Sequence, residues 1–183
     1  MPRRSNLLAV LALLSSSTIT AQEIADSADS ADSADSADSA EFDMIAFEVK
    51  SWGAPANRWQ YGPNYGGVWV EVISEPTDRL GSYTLAFHPI AANRDRYLML
   101  EAIVDRLPAE IPVFEGCKRK MTDMPYGTLR LTRGAVTKEI AWKSGCMDDE
   151  YVQFMDTLKE ADRMVTDWGK MAPASRTEEH RIE

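Results

Sequence analysis

From residue 44 onward the hydrophobic side chains change period in a fixed order: alternation, helical spacing, alternation again, and helical spacing again. That order restricts the fold more than any single motif does. Ile45, Phe47 and Val49 alternate against Ala46, Glu48 and Lys50, and Trp59 and Tyr61 alternate on a second segment. Val68, Val70 and Val72 stand opposite Trp69, Glu71 and Ile73, and Tyr83, Leu85 and Phe87 repeat the pattern. Period-two alternation is the mark of a strand with one buried face. Tyr97, Leu100, Ile103, Val104 and Leu107 then fall on one helical face, with Asn93 placed to cap the start and Pro108 to mark the end. Leu129 and Leu131 alternate against Thr128, Arg130 and Thr132, followed by a turn at "TRGA" and a strand carrying Val136, Ile140 and Trp142. Tyr151, Phe154, Leu158, Ala161, Val165 and Trp168 form the strongest helical stripe, over 148–168, with Asp148, Asp149 and Glu150 at its positive end and Gly169 at its exit. Strands grouped before helices predict an α+β domain: an antiparallel sheet of about five or six strands with two helices packed on one face. Throughout-alternating strand–helix crossovers are missing, which disfavours a dinucleotide-binding fold. From Pro173 to Glu183 the residues read as a polar tail, so the domain is expected to span 44–172.

The first 43 residues have another character. Arg3 and Arg4 precede an apolar run from Leu7 to Leu14, and small or hydroxylated residues continue to Ala21. This is the layout of a secretory signal peptide over residues 1–21, and the run is too short to span a bilayer. Residues 25–39 are five copies of "ADS", inside an acidic segment, 22–43, that reads as a disordered tether because it offers almost nothing to bury. A calcium loop would need a turn glycine and a bidentate acid at a fixed offset, and the repeat has neither. Of the net charge of −9, residues 1–21 carry +2 and residues 22–43 carry −8, which leaves −3 for residues 44–183. A mildly acidic domain with both signs interspersed argues against nucleic acid as a ligand. No later stretch is apolar enough for an integral membrane segment. The chain is therefore expected in the periplasm or outside the cell.

Cys117 and Cys146 are the two cysteines, and in an exported chain they most simply form one disulfide. A redox or metal pair is the weaker reading, since there is no CxxC spacing and His88 and His180 are the only histidines. Zinc would need about three ligands. Nucleophilic triads need a base beside a nucleophile, and there is no GxSxG segment. Nothing marks a cofactor site. The chain reads as a protein other than an enzyme, with a hydrolase using Asp123 and a second carboxylate such as Glu71, Glu75 or Asp105 as the competing class.

Two segments qualify as binding surfaces. "WQYGPNYGGVW" surrounds a glycine-rich turn with rings, of which Tyr61, Tyr65 and Trp69 are the candidates for contact with a partner, Tyr65 at the turn tip most of all. Strand aromatics more often pack than bind. The run Lys118, Arg119, Lys120 opens a stretch with seven cations between Lys118 and Lys143, which suits either a solvated edge or an anionic polymer. "SWGAP", Trp59 seven residues after Trp52, "TDMPYG" after Cys117, and "GC" before the last helix together resemble a group of small exported proteins of Gram-negative bacteria. The resemblance covers residues 44 to about 170, implies export and one disulfide-bonded domain, and offers no catalytic residues to carry over. The expectation is a binding or accessory module for an envelope protein or anionic polymer. One version is an enzyme inhibitor whose Pro63–Gly67 turn enters a cleft; a structural envelope protein is another alternative.

Overall fold

The computed structural model describes residues 41–52, 54–73 and 82–181. The expected signal peptide and the ADS repeat lie outside these residues, as does Glu75. Strands β1 (Met44–Ser51), β2 (Ala54–Tyr61), β3 (Gly67–Ile73) and β4 (Ser82–Ile90) form a meander. Helix α1 (Arg94–Val104) crosses back, and the hairpin of β5 (Tyr126–Arg133) and β6 (Val136–Lys143) joins on the far side of β1. Helix α2 (Asp149–Gly169) then returns the chain to β7 (Arg176–Arg181), beside β4. The result is one antiparallel sheet in the order β6-β5-β1-β2-β3-β4-β7, with β6 and β7 at its edges. Six strand spacings of about 4.8 Å make the sheet roughly 29 Å wide. A helix of 21 residues is about 31 Å long. The length of α2 therefore matches the span it must cover between the two edges.

The α+β expectation holds, with seven strands in place of five or six. The additional strand is β7, where a polar tail was expected. It carries no apolar alternation, and backbone pairing with the edge of β4, from Phe87↔Arg176 to Ser82↔Arg181, replaces it. A preceding anchor is the bond from both the amide and the hydroxyl of Ser175 to the Phe87 carbonyl.

Both helices lie over the face that carries Ile45, Phe47, Trp59, Trp69 and Leu129, and their apolar stripes complete the main core. Phe47 is stacked between Trp59 at 5.5 Å and Trp142 at 5.4 Å. On α2 the buried residues are those the spacing predicted. Gly169 has a reason other than ending the helix: a Cβ there would sit 2.4 Å from the Trp69 Cβ, so its missing side chain lets α2 lie directly on β3. Val70, Leu85 and Phe87 point the other way and form a small separate cluster, with the guanidinium of Arg176 3.8 Å from the Phe87 ring centre. No described helix is long and apolar enough to cross a membrane.

The fold also begins earlier than composition suggests, at Glu41. Phe42 is buried, its amide donates to Glu101 Oε1 at 2.7 Å, its carbonyl accepts from the Tyr97 hydroxyl, and Arg133 lies 3.8 Å over its ring. Asp43 accepts from the Gly134 amide and donates its own amide to Thr132. Burial pushes the Glu101 carboxyl above its usual range, and the Phe42 amide partly counters that.

Candidate functional site

The aromatic residues expected to meet a partner are used internally. Tyr61 is fully buried at 0% exposure and Trp69 at 4%, both facing the helices. Alternation identifies two faces of a strand but not which one is covered, and here the ring-bearing face is inside. Burial raises the Tyr61 hydroxyl well above its ordinary range. Tyr65 does sit in the turn, with φ 59, the left-handed region that few side chains adopt. Its ring packs edge-on against Tyr97 at 5.5 Å and its hydroxyl donates to Glu41 at 3.0 Å. Arg94 also binds Glu41, at 2.5 Å, and these two partners hold the Glu41 carboxyl below its usual range. The Asn93 amide donates to the Tyr65 carbonyl. The turn is thereby fastened to the body of the protein and fixes the point where the N-terminal segment enters.

Lys118, Arg119 and Lys120 are exposed, at the opposite end of the sheet from that turn. The structure does not bring the two candidate groups together. Cys117 and Cys146 are bonded to each other. Asp148, beside the disulfide, accepts from the amides of Lys118 at 2.8 Å and Arg119 at 3.4 Å instead of capping its own helix. Its nearness to the two sulfurs resembles a metal cluster only if the disulfide is ignored. Asp123 is exposed, with φ 61.

A polar cluster on the helix side went unread in the sequence because its members lie on four elements. Asp162 Oδ1 on α2 accepts from Asn57 Nδ2 at 2.6 Å and from the Trp59 indole at 3.0 Å, while Asn57 Oδ1 accepts from the Trp69 indole at 2.7 Å. Burial raises the Asp162 carboxyl, and its two donors counter part of that. His88 Nδ1 is 2.8 Å from the Ala172 carbonyl, which can only accept, so this nitrogen carries the proton. The ring leans on Trp69 at 4.8 Å, and Nε2 lies 3.5 Å from Glu71. His88 is thus held by a carbonyl, an indole face and the nearby Glu71, and the carboxylate and amide of Asp162 and Asn57 satisfy the two buried indoles.

The feature best suited to a ligand is a groove of about 520 Å³ lined by β6, by residues 126–128 of β5 and Glu48 and Lys50 of β1, and by the loop 111–115, within the range of small-molecule and peptide sites. Its far wall is the loop carrying Ile111, Val113 and Phe114, and its floor is Gly127, Ile140 and Trp142. Gly127 makes the groove possible. A Cβ there would fall 1.8 Å from the Glu48 carbonyl and 2.7 Å from Trp142 Cζ2, so only glycine lets the indole lie across β5 to reach Phe47. Trp142 is 5% exposed, and its indole N–H has no hydrogen-bond partner among the described residues. Leaving such a sealed donor unpaired costs about 1–3 kcal/mol, which the stacking of the ring on Phe47 helps to offset. At one end of the groove the ammonium groups of Lys120 and Lys143 each lie 5.6 Å from the Phe114 ring centre. Lys143 also pairs with Glu115 at 3.2 Å, and this contact helps hold the Glu115 carboxyl below its usual range, after a bond to its own amide. Val113 is 66% exposed, and Met121, Met124, Tyr126 and Met147 are exposed as well. None of the six residues named from sequence as binding candidates lines this site, although Lys120 lies near it over the Phe114 ring. Trp142 and Gly127 were legible as strand residues, but the loop opposite them is too far away in the chain to be paired by any spacing rule.

Comparison of the chain with protein-family models, with curated proteins and with solved structures gives no match, so neither a family nor a fold relative contributes to the assignment.

Proposed function

We propose that the chain is an exported binding or accessory module, acting in the periplasm or outside the cell, whose ligand site is the groove beside β6. What carries this reading is the groove itself, an apolar-lined space of about 520 Å³ between the loop 111–115 and β6, with Val113 exposed beside it. Apolar walls with charged groups of both signs among the lining suit a ligand with an apolar body and a polar or charged group. The disulfide supports export, as it would not persist in a reducing compartment. The signal-like residues 1–21 agree with it.

The test is a nuclear magnetic resonance screen of the oxidised protein against a mixed set of short peptides and acylated small molecules, reading the indole N–H signals. Ligands that move the Trp142 indole signal while leaving Trp59 and Trp69 in place are expected. Ligands that bind without moving Trp142, or a full screen without hits, would contradict the reading.

A further inference from the structure

We infer that the groove takes an extended, acid-bearing segment of a partner protein, which adds to β6 as an eighth strand. This rests on the groove being the ligand site and goes on to say what fills it.

The direction of the backbone groups on β6 follows from two independent contacts. The amide and carbonyl of Lys143 both bond to the Tyr151 hydroxyl, so they point away from β5. The carbonyl of Thr132 bonds to the Asp43 amide on the β1 side, so Thr132 points away from its β6 partner Thr137. In an antiparallel pair the outward and inward residues alternate. Both contacts give the same phase, and Ala141 and Glu139 therefore turn their N–H and C=O groups outward, toward the groove, while Ile140 and Trp142 bond inward to Leu129 and Gly127. None of the hydrogen bonds among the described residues uses those outward groups of Ala141 and Glu139.

An edge strand with free backbone groups is a template for another strand. Natural edges are often blocked by a bulge, a proline or lysines; β6 carries Lys138 and Lys143 but has no proline, and it pairs in continuous register from Arg133↔Val136 to Tyr126↔Lys143. The groove floor supplies what a bare edge lacks, namely pockets for alternate side chains. Lys138, Ile140 and Trp142 share one face of β6, so a strand laid beside them meets a cation and then an apolar surface. Lys138 has no carboxylate within ion-pair distance among the described residues, and Lys120 bonds only to the Glu115 carbonyl. The other lysines lining the groove, Lys50 and Lys143, are already paired with Glu48 and Glu115, so it is the unpaired ammonium of Lys138 that selects a carboxylate on the incoming strand.

The probe is an acetylated, amidated eight-residue peptide in which valine alternates with glutamate, labelled for fluorescence anisotropy and added to the oxidised full chain. Saturable binding is expected. Methylating alternate backbone nitrogens of the peptide should weaken it about tenfold or more, the equivalent of one to two lost hydrogen bonds. Glutamine in place of glutamate, or Lys138→Ala, should weaken it severalfold. Ala141→Pro removes an outward N–H at a position where an edge strand tolerates proline, and should abolish binding with the melting temperature near that of the parent. Ala141→Ser, which keeps the N–H, should bind as the parent does.

If groove ligands move the Trp142 signal but the methylated peptide binds as well as the parent peptide, strand addition is wrong and the groove reading survives. Equal binding of an unstructured polyglutamate would also overturn the inference, in favour of simple attraction between charges. Self-association that Ala141→Pro abolishes would replace the partner segment with a second copy of this chain.

Discussion

Asp162 offers the sharpest test of how the core is held together. Its Oδ1 accepts from Asn57 and from the Trp59 indole, and Asn57 in turn accepts from the Trp69 indole. Replacement by alanine leaves two donors facing a protein interior, each costing about 1–3 kcal/mol. Trp59 is 2% exposed while Asn57 is half-buried, so the low end applies to Asn57 and the sum is roughly 2–4 kcal/mol. Replacement by asparagine keeps the accepting oxygen and removes the charge. Because burial raises the carboxyl, the folded protein retains its proton at pH values where the unfolded chain, near pH 3.9, has released it. The resulting stability is fully present below the unfolded value and is lost as the pH rises through the folded one. Urea unfolding followed by circular dichroism, at pH 4 and pH 7, separates these effects. Asp162→Ala should lose roughly 2–4 kcal/mol at both pH values, and Asp162→Asn should fall within about 1 kcal/mol of the parent at pH 7. The stability of the parent relative to Asp162→Asn should be greater at pH 4 than at pH 7. An alanine variant as stable as the parent would refute the acceptor role, and a parent-to-asparagine difference independent of pH would refute the burial argument.

Other outcomes follow from single contacts. Gly169→Ala gains about 1 kcal/mol of helix propensity but drives a Cβ into Trp69, so calorimetry should show a net loss of about 2 kcal/mol rather than a gain. Gly127→Ala places its Cβ against the Glu48 carbonyl on β1, and should cost more than about 4 kcal/mol in denaturant or prevent recovery of folded protein. Replacing both Cys117 and Cys146 by serine opens a loop with a sequence separation of 29, a loss of about 3.6 kcal/mol in the chain-entropy model, readable as a lower urea midpoint.

The helices and most of the strands could be read from sequence because burial imposes their periods directly. The stripe from Tyr151 to Trp168 is buried as spaced, and the glycine-rich segment after Tyr61 is a turn, with the Gly62 amide bonded to the Gly66 carbonyl. Cys117 and Cys146 pair because β6 returns the chain beside Lys120, which bridges to Cys146. What could not be read depends on relations between distant segments. Arg176, Glu178 and His180 alternate only in charge, so nothing local distinguishes β7 from a tail; its strand character comes from the edge of β4. Phe42 follows an acidic repeat and looks like part of it, yet the pocket made by Glu101, Tyr97 and Arg133 takes it in. Tyr61 and Trp69 could be named as binding candidates, with packing the commoner fate of strand aromatics, because alternation leaves the choice of buried face open, and that choice is made by where α2 lies. The groove beside β6 is of the same kind: it exists because Gly127 lets Trp142 across and because the loop at Ile111–Phe114 stands opposite.

The most direct test of the groove and its occupant is amide hydrogen exchange along β6, measured with and without the valine–glutamate peptide. In the free protein the amides of Ile140 and Trp142 should be protected and those of Glu139 and Ala141 should exchange quickly; saturating peptide should slow the latter two while leaving the former unchanged. Protection at Glu139 and Ala141 before any peptide is added, or bound peptide that leaves their exchange fast, would contradict the account.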